Sequence, residues 1–245
     1  MGEILLHVAS FVAAFFQSVT GVGFGMIAGP VILIVLEDPG AVAISTCLSW
    51  LIALCLFPIL RRGTDLRIMA RLLAGAAMGL PAGILIWNLA DILTLKLLAG
   101  LTIGGLTAMM LYGTPGLKRP GLGGDLLFGA LGGFFGGCLA MPGPTATLRM
   151  TGQGFDKAVT RATMVSFFMA VWPLIFVGQA VTRGIPTATL INAGLLVPAT
   201  LAGILVGNWA ATRVSELFFR RLVIGFLLLT SASLLMDVVL QWLGG

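Results

Sequence analysis

An uncharged hydrophobic segment, interrupted by glycine and proline, occurs twice in this chain. It spans residues 18–30 near the start and, in altered form, residues 132–144 past the middle. Hydrocarbon cannot hydrogen-bond a backbone N–H or C=O group that a helix break sets free. Non-helical chain at membrane depth therefore survives only where it lines a cavity or meets a ligand. Duplicated breaks of this kind are typical of transport sites in membrane proteins.

The composition of the whole chain indicates a membrane protein. Hydrophobic residues make up 58% of the 245 residues, charged residues make up 9%, and mean hydropathy is +1.08. Soluble domains of this length do not have such a composition. Apolar stretches leave no segment polar enough for a soluble domain, so we expect one integral membrane unit. Residues 4–36 lack the basic leader and cleavage pattern of a secretory signal and are expected to remain in the mature protein.

Most of the apolar runs after this first stretch have about the length of one membrane-spanning helix. They are residues 41–60, 72–90, 97–112, 126–148, 162–181, 187–211 and 222–236. The first run, residues 4–36, and the run at 126–148 are exceptions. They hold 33 and 23 uncharged residues, too few for two full spans of about 20 residues each with a turn. Each is either one long span or a hairpin of short helices that returns to the side from which it entered.

The distribution of basic residues favours hairpins. With hairpins, twelve of the 14 Lys and Arg residues face one side, and only Lys96 and Arg183 face the other. This asymmetry agrees with the positive-inside rule, which a single crossing at 126–148 would violate. We therefore predict hairpins, with both termini outside the cytoplasm. Membrane orientation also explains the scattered basic residues, so nucleic acid is not an expected partner.

Each half then consists of one hairpin and three crossings, which places the two halves in opposite orientations. We predict an all-α fold of two inverted repeats, residues 1–116 and 117–245, within one membrane domain. Colinear matches support the duplication. Thr46 pairs with Thr163 and Ser49 with Ser166, each 117 residues apart.

Inverted repeats with broken helices predict a binding site near the midplane, between the hairpin tips. A helix that begins at a break points free N–H groups and its positive dipole end into the gap, which favours an anion. Pro30 and Pro144 suit the first helical position, and Thr145 adds a hydroxyl donor. The alternative is that the glycines only allow close helix packing. The expected binding residues are Gln17, Thr20, Gly21, Gly23, Gly25, Gly29 and Pro30 from the first half and Gly136, Gly137, Pro142, Gly143, Pro144 and Thr145 from the second.

Other polar residues are secondary candidates. Two hydroxyl pairs each share a helix face, where they would bind an oxyanion or bond back to helix carbonyls. These pairs are Thr46 with Ser49 and Thr163 with Ser166. Arg149 and Arg161 would attract anions at the cytoplasmic mouth, although topology alone also accounts for them. Asn88 and Asn208 are expected to cap their helices.

Several functional classes lack their motifs in this sequence. No apolar run carries an ionisable residue at its centre, so a carboxylate proton relay has no obvious carrier. The chain has no P-loop, no H-E-x-x-H motif, no metal-ligand cysteine spacing and no acidic pair placed for hydrolysis. We expect neither enzymatic activity nor a metal or cofactor. An inside-negative potential of about 100 mV favours anion exit by about 2.3 kcal/mol per charge, so export would need no further energy source.

The arrangement of motifs resembles the sulfite exporter TauE/SafE family over essentially the whole chain. The resemblance rests on a G-x-G-x-G-x-x-x-x-P stretch at residues 21–30, a short acidic loop with proline, and an A-V-A-x-S-T segment at residues 41–46. It implies a bacterial inner-membrane carrier that exports small sulfur-containing or organic anions such as sulfite and sulfoacetate. The second half departs from the first, with Ala-Met-Pro-Gly-Pro in place of Met-Ile-Ala-Gly-Pro. The two faces of the site need not bind equally.

The sequence as a whole predicts a polytopic α-helical transporter of the inner membrane with periplasmic termini. It would move a small sulfonate, sulfite or related oxyanion outward by alternating access. The expected partners are this anion and the lipid bilayer. Two alternatives are an anion channel, if both gates open together, and a non-transporting membrane scaffold whose Gly-Pro tips are packing devices. The identity of the anion, the coupling ion and the oligomeric state, a homo-oligomer included, are left open.

Overall fold

The computed structural model describes residues 2–112, 121–211 and 216–244, and within these ranges the chain is all helical. The helices are α1 (Gly2–Thr20), α2 (Phe24–Leu36), α3 (Gly40–Leu60), α4 (Leu66–Leu89), α5 (Ile92–Tyr112), α6 (Leu122–Leu139), α7 (Gly143–Gly152), α8 (Lys157–Thr182), α9 (Thr187–Ala210) and α10 (Glu216–Gly244). Among the described residues, seven helices are long and apolar enough to cross a membrane, namely α1, α3, α4, α5, α6, α8 and α9. The predicted polytopic all-α fold is confirmed.

Five helices, α4, α5, α6, α8 and α10, begin well before the predicted apolar runs, and the partners of charged residues explain three of these starts. α6 begins at Leu122 and includes Asp125, which is 1% exposed and lies 2.9 Å from Arg149 Nε. α5 begins at Ile92 and includes the buried Lys96. α4 begins at Leu66, because the Asp65 carboxylate caps it by accepting hydrogen bonds from the Arg67 and Ile68 N–H groups. The predicted apolar runs stop at charged residues, but a helix continues through a charged residue that a partner of opposite charge neutralises.

Both broken segments are helical hairpins, although their arms are unequal. α1 and α6 have 19 and 18 residues, whereas α2 and α7 have 13 and 10. The first arms are thus longer than the short helices predicted. In the first hairpin Gly2 lies against Val35. In the second the Gln153 amide nitrogen lies 2.9 Å from the Asp125 carboxylate. Both segments therefore return to the end from which they start.

The helix directions alternate so that basic residues gather at one end of the bundle. Among the described residues this end, here called the arginine-rich end, carries Arg61, Arg62, Arg67, Arg71, Arg149, Lys157 and Arg161. Contacts between residues distant in sequence agree with the alternation. Arg71 pairs with Asp125 at the arginine-rich end, at 3.1 Å. Lys96 pairs with Asp237 at the opposite end, at 2.6 Å.

Glycine faces bring α4 and α6 into backbone contact. Gly75, Gly79 and Gly83 recur every four residues along α4, so they share one face. A side chain at Gly79 would overlap the Ala130 carbonyl oxygen, and one at Gly83 would overlap the Phe134 carbonyl oxygen. The facing glycines of α6 are Gly129, Gly133 and Gly137. Small residues at this spacing are a common device for close helix packing in membranes.

Replacing Asp125 with asparagine is expected to destabilise the second hairpin by about 3 kcal/mol, because the buried Arg149 guanidinium would lose its negatively charged partner. Asp125 accepts hydrogen bonds from Arg71, Arg149 and Gln153. The measurement is heat-induced loss of the folded peak in size-exclusion chromatography. Asp156→Asn is the matched control, because Asp156 is exposed and makes no side-chain cap bond. Equal stability of the two variants would contradict a structural role for the cluster.

Candidate functional site

The tips of the two hairpins touch each other. The first tip consists of residues 21–23 and the second of residues 140–142. A side chain at Gly25, just after the first tip, would overlap the Ala140 carbonyl oxygen. A Cβ atom at Gly143 would lie 2.9 Å from Val22 Cγ1. Glycine at these two positions permits the close approach of the hairpins.

The short arms of the two hairpins run from the tips to opposite ends of the bundle. From the tips, α2 runs 13 residues to one end and α7 runs 10 residues to the other. At 1.5 Å per residue these arms are about 20 and 15 Å long. Each is thus well short of a full span, which needs about 20 residues.

The first tip is held by the two polar residues predicted near it. The Phe24 N–H donates to Gln17 Oε1 at 3.1 Å, and the Val22 N–H donates to Thr20 Oγ1 at 3.2 Å. Gly21 and Gly23 have φ values of 87° and 127°, which favour glycine. One free N–H group at the start of α2 is therefore already bonded within the hairpin. Nothing lies within 4 Å of a Cβ position at Gly23, so an open space borders this helix start.

The two predicted helix-start prolines differ in position. Pro144 is in the first turn of α7, as predicted. The prediction for Pro30 is wrong, because α2 begins at Phe24 and Pro30 lies inside it. The positive φ values of Gly21 and Gly23 end α1 and restart the helix before the Gly-Pro pair. Pro30 instead removes the N–H group that would bond to the Met26 carbonyl.

The other predicted glycines and prolines of the tips are packing partners. Gly29 lies near Met141 of the second tip and near Ser45 of α3. Gly136 packs against Ile175 of α8 and against Pro142. Gly137 lies in the α4 contact and not between the tips.

The predicted hydroxyl pairs have different environments. Thr46 Oγ1 donates to the Val42 carbonyl within its own helix at 3.0 Å. Thr163 Oγ1 accepts from the Asp65 N–H at 3.0 Å, and the hydroxyl oxygens of Ser166 and Thr64 lie 2.6 Å apart. The pair on α8 therefore anchors the loop between α3 and α4.

Twelve buried side-chain donors, all on α1, α3, α7 and α8, have no hydrogen-bond partner among the described residues. Seven of them, here taken as the donors around the tips, are Gln17 Nε2, Ser45 Oγ, Ser49 Oγ, Thr145 Oγ1, Thr160 Oγ1, Arg161 Nε and Trp172 Nε1. The other five belong to Ser10, Ser18, Trp50, Thr147 and Gln179 on the same helices. Leaving such a group unbonded costs about 1–3 kcal/mol. Phe168 connects the donors of α8 to the second tip, because its ring packs against Trp172 at 5.7 Å between centroids and against Gly143. Thr145 also borders Gly132 of the neighbouring arm, so its hydroxyl lies between the arms of the second hairpin.

The two arginines predicted at the mouth have different roles. Arg149 is 3% exposed, and its guanidinium is neutralised by Asp125. Arg161 forms no ion pair with any described residue. Its Nη2 donates to Asn208 Oδ1 at 3.0 Å, and its backbone lies against Gly21 of the first tip. The backbone of Arg161 therefore borders the first tip, while its guanidinium has no ion-pair partner among the described residues and is held by Asn208.

Sequence reasoning did not identify Ser45, Trp172 or the contact between Asn208 and Arg161. Ser45 stands beside Thr46 in the A-V-A-x-S-T segment, which was a usable signal. Trp172 gives no signal, because a tryptophan in an apolar run is ordinary. In the described part of the chain, no group of three His, Cys, Asp or Glu side chains is placed to hold a metal ion.

The model of the family described as Sulfite exporter TauE/SafE matches residues 6–234. A curated relative from Cupriavidus necator, described as a probable sulfite/organosulfonate exporter TauE, is 26% identical over 235 residues. The alignment covers 93% of this chain and 91% of the relative. No solved structure matches this chain.

Proposed function

This chain belongs to the sulfite exporter TauE/SafE family, and we propose that it exports sulfite or an organosulfonate across the bacterial inner membrane. The curated relative is described by the same two substrates, and its similarity extends over nearly the full length of both chains. Membership of a transporter family also favours a role without catalysis. The protein would bind the oxyanion and release it without chemical change.

We place the binding site around the contact of the two tips. The single observation that carries this proposal is the set of unbonded buried donors around a contact between two broken helices. N–H and O–H groups suit a sulfite or sulfonate, because the oxygens of these anions accept hydrogen bonds. Arg161 supplies a positive charge on the arginine-rich side of the first tip. Gln17, Ser45, Ser49 and Trp172 would supply further hydrogen bonds.

Helix pairing supports the division into inverted repeats at residues 1–116 and 117–245. If each helix from α1 to α5 is matched in order with one from α6 to α10, the α4–α6 contact corresponds to the α9–α1 contact, and both contacts are present. In the same matching, the α3–α9 contact corresponds to the α8–α4 contact, which is also present, and the α5–α10 contact corresponds to itself. Two structurally equivalent halves around a central site are the usual basis of alternating access.

The charge distribution supports an orientation with the arginine-rich end in the cytoplasm. The positive-inside rule places short loops rich in Lys and Arg on that side. Both termini would then lie in the periplasm, and Arg161 would face the cytoplasmic approach. An inside-negative potential would drive anion efflux.

The contact between the tips favours a carrier over a channel. Backbone packing of Gly25 against Ala140 closes the space directly between the hairpins. An anion would pass only when the hairpins move relative to one another, at carrier rates. A channel would require a continuous path through this point.

The experiment that tests the function is efflux of labelled sulfite, sulfoacetate and taurine from proteoliposomes, with and without an imposed potential. Potential-driven flux of sulfite or a sulfonate is expected. Gly143→Val should abolish it, because the new side chain would meet Phe168 and Val22. Gly194→Val is the matched control, since nothing lies within 4 Å of a Cβ there. No flux of any anion would reject export and favour the scaffold alternative, whereas single-molecule currents would establish a channel.

A further inference from the structure

A second polar site lies away from the tips, at the arginine-rich end. It is a crevice of about 300 Å³ between the end of α3, the start of α4 and the first half of α8. Arg61, Thr64 and Ser166 form its polar part, and Phe57, Met169 and Ala170 form apolar walls. Its residues are separate from the seven donors around the tips.

The polar part of the crevice has excess positive charge. Arg61 makes no ion pair or side-chain hydrogen bond with the described residues, and the same holds for its exposed neighbours Arg62 and Arg67. The one carboxylate of this loop, Asp65, accepts hydrogen bonds from the N–H groups of Arg67 and Ile68. It therefore caps α4 and does not pair with Arg61. An anion at Arg61 would meet an uncompensated guanidinium.

The apolar part of the crevice favours a ligand that has an apolar chain over a small free anion. Phe57 lies one turn before the end of α3, and Met169 and Ala170 lie one turn beyond Ser166 along α8, towards the centre of the bundle. The crevice thus has a charged mouth at the helix ends and an apolar interior. This order of groups matches a phospholipid, whose phosphate lies at the membrane surface and whose acyl chain lies below it. Basic pockets between helices on the cytoplasmic side are typical sites for anionic lipid headgroups.

We propose that this crevice binds an anionic phospholipid. The phosphate contacts the Arg61 guanidinium at the mouth, beside the hydrogen-bonded hydroxyls of Thr64 and Ser166, and one acyl chain lies along Phe57 and Met169. The same loop is bonded to α8 through Asp65 and Thr163, at 3.0 Å. The lipid would therefore stabilise the loop against α8. This inference depends on the membrane location of the chain and does not depend on which anion is transported.

The test is native mass spectrometry of the full-length protein in detergent, titrated with phosphatidylglycerol or with phosphatidylcholine of the same acyl chains. Phosphatidylglycerol is expected to bind more tightly. Arg61→Gln should weaken it about tenfold, a change of about 1.4 kcal/mol. Arg62→Gln is the matched control, because it removes the same charge from the same loop without lining the crevice. Met169→Trp should also weaken binding, since it fills the apolar part and leaves the charge unchanged.

Three results would overturn the proposal. The first is equal affinity for the two lipids, and the second is equal loss in Arg61→Gln and Arg62→Gln, which would indicate diffuse attraction to the loop. The third is displacement of the bound lipid by millimolar inorganic phosphate, which would assign the site to a free anion. Thermal stability of each variant, measured without added lipid, identifies any loss that comes from misfolding.

Discussion

Efflux by the Arg161→Gln variant is expected to be about ten to a hundred times slower than efflux by the intact protein at low substrate concentration. Two unit charges about 5 Å apart at an effective dielectric constant of about 20 attract by about 3 kcal/mol. Arg161 lies against Gly21 of the first tip and forms no ion pair with any described residue. Removing the charge of Arg161 would therefore remove most of its attraction for an approaching anion. The loss should appear mainly as a raised KM.

Two further variants separate charge from structure in this measurement. Arg161→Lys keeps the charge and should retain a large part of the flux, although lysine cannot reproduce the forked guanidinium. Arg62→Gln removes an exposed charge at the same end of the bundle and should leave efflux unchanged. An unaltered KM in correctly folded Arg161→Gln would reject Arg161 as part of the binding site. A loss of folded protein would point to the bond with Asn208.

Replacing Gly79 with leucine is expected to leave no folded protein. The new Cβ would overlap the carbonyl of Ala130, and neither helix backbone has space to yield there. Because Gly75 and Gly83 make similar contacts on the same face, α4 and α6 would separate along most of their length. Inserting a single extra group into a packed interior costs about 1–3 kcal/mol. A whole leucine between two backbones should exceed the stability of the domain.

Fluorescence-detected size-exclusion chromatography of the tagged protein measures this effect. Gly105→Leu on α5 is the control, because nothing lies within 4 Å of a Cβ at that position. Gly79→Ala tests the same contact with the smallest side chain and should lower the melting temperature while some protein still folds. A folded peak of normal height for Gly79→Leu would show that α4 and α6 do not need this contact.

Particular residues explain which helix bounds were predictable. The hairpins at residues 2–36 and 122–152 follow from glycine and proline in runs of unsuitable length, which is a local property. The starts of α5 and α6 were predicted too late. Lys96 and Asp125 are neutralised by partners on other helices, and Asp237 lies 141 residues from Lys96 in the chain. No local pattern contains that information.

The same distinction holds for the candidate site. Glycines 21, 23, 25 and 143 were predicted from their repeated setting. Gly25 and Gly143 lie at the contact of the tips, whereas Gly21 lies against Arg161 and Gly23 borders open space. Gly137 belongs to an equally glycine-rich stretch, yet it faces α4. Thr163 and Ser166 match Thr46 and Ser49 in sequence but bond to a loop. Positions that match in sequence therefore have different neighbours in the fold.

The sequence by itself determined the membrane environment, the helical class and the two breaks, because each depends on how short stretches of chain interact with hydrocarbon. The tertiary structure alone decided which charges are neutralised and which donors remain unbonded. The sequence does not distinguish Arg149 from Arg161. In the fold, Asp125 lies beside Arg149 and Gly21 lies beside Arg161. The physical reason is that electrostatic compensation depends on distances of a few ångströms between helices, and those distances are set by packing.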